Sequence, residues 1–208
     1  MDTLSHALWA AATGKGVNLK SPKKVKLGWM ALWGVLPDLF AFTPVVLWML
    51  CQLYYNGVAF SDIPRPELMS PEQRNEVFIL RLSETLYHIS HSFVVFLLLF
   101  FLGWMVRWYG LLQNGKANLV SPLSTGKGAH TCTPPWEMFG WCIHILMDIP
   151  THTGLLYPTL FLWPLSDWYV DGNSWGTKWF MVINYSVLLI VFLLLRIAGK
   201  KKKGRVAS

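Results

Sequence analysis

His144, Asp148 and His152 recur at intervals of four residues. On an α-helix that spacing sends the side chains to one face, although Pro150 and Thr151 leave open whether the helix reaches His152. Glu84, His88 and His91 stand at i, i+4 and i+7, again on one face, just ahead of an apolar run. Asp38 follows Pro37 inside another apolar run, and His6 lies near the N-terminus. An ionisable group in hydrocarbon costs several kcal/mol unless it is paired or hydrated, so each of these marks a candidate functional site. A lone histidine is most simply a packed structural residue. Two aspartates with four or five histidines at helical spacings would need many mutual hydrogen bonds if no metal held them. The expectation is a metal site drawn from His6, Asp38, His88, His91, His144, Asp148 and His152, with a polar packing network as its alternative. Mixed imidazole and carboxylate donors suit Zn²⁺ best, then Mn²⁺ or Fe²⁺. Asp38 and Asp148 are also the catalytic candidates: each either ligates the metal or accepts a proton from water.

The elements that must carry these residues are apolar. The 208 residues are 53% hydrophobic and 14% charged, against about a quarter charged in soluble domains, which excludes disorder and a water-exposed fold. Four runs stand out: Leu27 to Leu53, Ser92 to Leu112, Trp136 to Leu165 and Trp179 to Leu195. About 20 apolar residues cross a hydrocarbon core. Met1 to Gly14 reads as a short helix with Asp2 or Thr3 as N-cap and Gly14 or Gly16 as its stop. The expected architecture is all-α: one polytopic integral membrane helical bundle over residues 1–208, about four spans plus that short N-terminal helix.

The net charge of +7 is gathered into blocks. Fourteen of the eighteen Lys and Arg fall at Lys15 to Lys26, Arg107 to Lys127 and Arg196 to Arg205, each beside an apolar run. Cations at span ends stay cytoplasmic, so these blocks and the basic tail 199–208 are expected inside, with Asn56 to Tyr87 and Ser166 to Lys178 outside. That distribution indicates a lipid bilayer as partner and gives no expectation of nucleic acid binding. Cys51, Cys132 and Cys142 show no Cys-x-x-Cys spacing, so neither a disulfide framework nor a sulfur metal site is indicated. The Gly- and Pro-containing stretch Gln113 to Pro135 reads as a loop. The N-terminus lacks the pattern of a signal peptide.

Asp-Thr-Leu-Ser-His at 2–6, Leu-Pro-Asp at 36–38, His-Ser at 91–92, the segment His-Ile-Leu-Met-Asp-Ile-Pro-Thr-His-Thr-Gly at 144–154 and Leu-Trp-Pro at 162–164 occur in order along the chain. Together they resemble the YdjM-like membrane-bound metal-dependent hydrolases. The ligand order is also similar to that of zinc-dependent phospholipase C and the S1/P1 nuclease group. The resemblance implies a central site of Asp38, His91, His144 and Asp148, with His6 and His152 serving further metals, one to three ions in all. It also implies a prokaryotic inner membrane. Two positions depart from the pattern: Phe40 stands where a second acid is usual, and Leu86 where a first histidine is usual. Either His88 or Glu84 replaces that histidine from the same helix face, or one metal position is lost. The expected activity is hydrolysis of a phosphoester or a phospholipid-like substrate. The rivals are a metal transporter, for which the cytoplasmic halves offer few ligands, and a non-catalytic membrane protein.

Overall fold

A computed structural model describes residues 1–22, 24–113, 133–155 and 157–207. The described residues form helices and turns with no strand. The helices are α1 (Thr3–Lys20), α2 (Leu27–Tyr54), α3 (Pro71–Glu76), α4 (Phe78–Ser90), α5 (Phe93–Gln113), α6 (Phe139–Asp148) and α7 (Lys178–Ala207). Three of them contain stretches long and apolar enough to cross a membrane: Leu27–Tyr54, Phe93–Leu111 and Lys178–Lys202. Their many exposed Leu, Val, Ile and Phe side chains suit a hydrocarbon solvent.

The fourth apolar run does not form a long helix. A short 3-10 turn (Trp136–Met138) leads into the ten residues of α6, and the chain then turns. Pro150 lacks an N–H and its ring clashes with a preceding helical turn, so a helix through this position is disfavoured. Beyond it, Gly172 N–H donates to His152 O (2.9 Å), Asn173 to Pro150 O (3.0 Å) and Trp175 to Thr151 O (3.1 Å). The segment 150–152 is thus laced to 172–175. Gly172 is required there, because a Cβ would stand 2.3 Å from Pro150 O.

The N-terminal helix is longer than the sequence indicates. Asp2 caps it, accepting from Ser5 N–H at 3.0 Å, but α1 passes through Gly14 and Gly16 to Lys20. Gly14 serves packing instead of termination: a Cβ there would meet Met30 Sδ at 2.7 Å. Gly34 on α2 does the same for α1, with a Cβ falling 2.8 Å from Ala10 Cβ. At the crossing of α6 on α2, a Cβ on Gly140 would stand 2.0 Å from Met30 O and 2.9 Å from Gly34 N. Backbone meets backbone at that point, so Gly140→Ala is expected to force the helices apart and cost about 3 kcal/mol. A lowered melting temperature is the readout; an unchanged melt would show that the crossing tolerates a methyl group.

A cluster of Phe96, Phe100, Met138, Trp141 and Ile145 locks α5 to α6, and Trp33 stacks on Trp141 at 6.1 Å. The basic segments meet at one end, where Lys202 Nζ donates to Leu19 O (2.6 Å) and Lys26 N to Glu137 Oε1 (3.3 Å). Elsewhere each of the two more acidic loops bonds the segment 154–155, with Arg74 Nη1 donating to Leu155 O (3.0 Å) and Gly154 N to Asp171 Oδ1 (2.9 Å). Cys51 and Cys142 are free thiols. Cys132, His130 and nearly all of the Gln113 to Pro135 loop lie outside the described residues.

Candidate metal centre

Asp38, His91, His144 and Asp148 converge in the interior, each offering a donor atom within 4.8 Å of the others. Three local features aim them. Pro37 removes the donor that would serve Trp33 O and loosens the turn of α2 that carries Asp38. His91 stands at the C-cap of α4, and Ser92 Oγ then caps α5 by accepting from Val94 N–H (3.1 Å) and Val95 N–H (3.3 Å). The helix that carries Glu84 and His88 therefore ends at His91 and does not run on into α5, which turns the ring inward. His144 and Asp148, one turn apart on α6, face the same side as their spacing indicates.

Hydrogen bonding fixes the rings. His91 Nδ1 is 3.0 Å from Tyr87 O, and His144 Nδ1 is 2.7 Å from Gly34 O. A carbonyl only accepts, so each Nδ1 carries a hydrogen, and each Nε2 is turned inward. Those two Nε2 atoms are 2.9 Å apart. Both lie 3.1 Å from Asp148 Oδ2, and they are 3.7 and 3.5 Å from Asp38 Oδ1. Four acceptors thus face one another without a shared donor. Asp148 Oδ2 is buried with no hydrogen-bond partner, an arrangement that costs free energy unless a cation sits among the donors. A metal ion satisfies it, and so does a proton. Burial acts against protonating His91, but its bonds to Asp148 and Asp38 outweigh that and raise its pKa.

No family model, curated protein or solved structure matches the chain. The chemistry of the centre therefore rests on its own geometry.

His6 and His152 flank the four. His6 Nε2 is 3.0 Å from Asp148 Oδ1, and its ring stacks on His144 at 3.6 Å. His152 Nδ1 is 3.4 Å from the same oxygen. Burial first, then the neighbouring His144, lowers the pKa of His6 to about 4 against the pull of Asp148. Burial lowers that of His152 to about 4, also against Asp148. Both rings are neutral at physiological pH and able to ligate. His6 Nδ1 is buried without a hydrogen-bond partner. The Met1 amino group also bonds Asp148 Oδ1 and lies 3.3 Å from Thr151 Oγ1.

His88 does not join the four-residue cluster. It lies one turn before the end of α4, where burial lowers its pKa, and its Nε2 is buried without a partner. Glu84 lines a small recess with Arg74, Leu80 and Tyr157. At the two departures from the family pattern, Phe40 points outward at 48% exposure, so the usual second acid would not face the cluster from there, and Leu86 is half-buried.

Two supports escape a search for histidines and carboxylates. Tyr87 is fully buried, stacks on His91 at 3.7 Å and bonds Thr159 Oγ1 at 3.0 Å. Asn184, on α7, donates to Ser5 Oγ (2.7 Å) and accepts from Trp9 Nε1 (2.9 Å), while Tyr185 donates to Asp2 Oδ1 (2.8 Å). These bonds hold the turn of α1 that carries His6. An uncharged amide within an otherwise apolar helix is a legible interhelical signal, overlooked when only charge is counted.

Proposed function

We propose that the protein is a membrane-embedded metal-dependent hydrolase that binds zinc and cleaves a phosphoester, a lipid-like one above all. The observation that carries this reading is the convergence of His91 Nε2, His144 Nε2, Asp148 Oδ2 and Asp38 Oδ1 with no donor among them. Tetrahedral zinc with bonds of 2.0–2.2 Å separates its ligand atoms by about 3.3 Å. The five gaps, ring to ring, ring to Asp148 and ring to Asp38, run from 2.9 to 3.7 Å, which brackets that value. The Asp and His order along the chain, similar to that of the YdjM-like and phospholipase C families, supports the same assignment.

A bound divalent metal lowers the pKa of water and polarises the scissile group. The chain's own residues do the rest. His144 and Asp148 are fully buried and act as fixed ligands, oriented by Gly34 O and by the α6 backbone. Asp38 alone of the four keeps any exposed edge, at 7%. Its Oδ2 accepts from Thr3 Oγ1 at 2.8 Å, which holds the carboxylate so that it faces both the cluster and an approaching substrate. It is the residue placed to take the proton from water. One divalent ion against two carboxylates leaves no excess negative charge to repel a phosphate. His91 lies at the head of α5, opposite the end that leads to the basic loop, which favours access from the outer side of the membrane.

Purified protein is expected to retain at least one equivalent of zinc and to hydrolyse phosphodiester or phospholipid substrates, losing activity on chelation and regaining it with added zinc. Metal flux across proteoliposomes without turnover would replace the hydrolase with a transporter. The orientation has its own test. A cysteine placed at residue 65 in a single-cysteine background should be labelled from outside, and one at residue 202 should not; the reverse pattern would put the centre on the other side.

The affinity for metal should depend on pH. His91, whose pKa is raised, holds the competing proton, whereas His6 and His152 stay neutral down to about pH 4. Binding releases the His91 proton. Affinity is therefore expected to be flat above the His91 pKa, which lies above the ordinary histidine value, and to fall about tenfold per pH unit below it. Equilibrium dialysis against zinc from pH 8 to 5, as an approximate range, measures this. Constant affinity across that range would remove His91 from the ligand set.

A further inference from the structure

The ends of α1 and α7 enclose a groove of about 570 Å³. Its floor is apolar, built from Leu19, Leu194 and Leu195, and Gly16 and Ala198 keep it open. Lys20, Lys201 and Lys202 border it, all exposed. Lys202 spends one N–H on Leu19 O, but among the described residues no carboxylate pairs with any of the three. Three like charges held together repel one another unless an anion lies between them.

We propose that this groove is a binding site for one anionic glycerophospholipid, its phosphate held by Lys20, Lys201 and Lys202 and an acyl chain laid on the Leu19, Leu194 and Leu195 floor. Two observations select a lipid over a free anion. The floor is apolar and continues from the cations along the lipid-facing side of α7, where Leu193 and Leu194 are about half exposed. The cations stand at the end of the apolar stretch of α7, the level at which headgroups lie. One turn deeper, Lys15 Nζ lies 5.7 Å from the Phe192 ring, so its charge is turned to an aromatic face. The proposal requires α7 to cross a bilayer. It does not require hydrolysis, since the groove is lined by the last turn of α1 and the far end of α7, away from the Asp and His cluster.

The test is native mass spectrometry of the full chain released from nanodiscs of phosphatidylcholine, with and without phosphatidylglycerol. The expected result is one retained phosphatidylglycerol and no retained phosphatidylcholine. Each lysine near the surface contributes about a factor of five to anionic lipid binding. The combined variant Lys20→Gln, Lys201→Gln, Lys202→Gln should therefore weaken retention on the order of 10²-fold, and the matching triple Arg variant should restore it. Ala198→Phe fills the groove without changing charge and should also release the lipid. Asp148→Asn should still hold it, which separates this site from a substrate lipid at the metal centre. Equal retention of the two lipids, unchanged retention in the triple Gln or Ala198→Phe variants, loss in a folded Asp148→Asn variant, or displacement by equimolar inorganic phosphate would each overturn the proposal.

Discussion

Asp148→Ala is expected to empty the metal centre. Asp148 Oδ2 lies 3.1 Å from both inward-facing Nε2 atoms, and Oδ1 is met by His6, His152 and the Met1 amino group. Loss of residues that merely support a ligand costs 10–100-fold in metal affinity, so removal of the central ligand should cost at least about 10²-fold. Elemental analysis should fall from near stoichiometric zinc to background. The change also removes the acceptor of the buried Met1 amino group, so Asp148→Asn, which loses the charge but keeps the shape and an acceptor oxygen, is the better-folded companion. His144→Ala should resemble both, and His88→Ala, outside the cluster, should keep its metal. Full zinc retention by the double variant His144→Ala, Asp148→Ala would leave the cluster a packing network.

Asp38→Asn should separate binding from turnover. Asp38 Oδ1 is the most distant of the four donors, at 3.5 and 3.7 Å from the two rings, and Thr3 already holds its other oxygen. An amide keeps the shape and the Thr3 contact, but it ligates weakly and does not accept the proton. Metal content should drop only partly. Hydrolysis should fall by at least about 10²-fold, the usual contribution of general-base or ligand function. Equal losses of metal and activity would make Asp38 a ligand alone, while undiminished activity would exclude it from the chemistry.

The site was more legible in the sequence than the fold that holds it. His144 and Asp148 follow from a four-residue helical spacing, and Asp38 from its placement in an apolar run, because burying an acid there demands a partner. His88 shares that periodicity with His91, but periodicity does not reveal that α4 ends at His91 and that a new helix starts after Ser92. The 136–165 run reads as a span by hydropathy because an apolar stretch looks alike whether it faces lipid or protein. Here ten residues of it form α6, buried against α2 and α5. Gly14 misleads in a similar way: a helix stop and a close helix contact both call for glycine, and only the 2.7 Å approach to Met30 distinguishes them.

The bond between Ser5 and Asn184 joins positions 179 residues apart, and this has a consequence for biosynthesis. During synthesis α1 emerges long before α7, so the turn that carries His6 gains its bonds to Asn184 and Tyr185 only once α7 has been made.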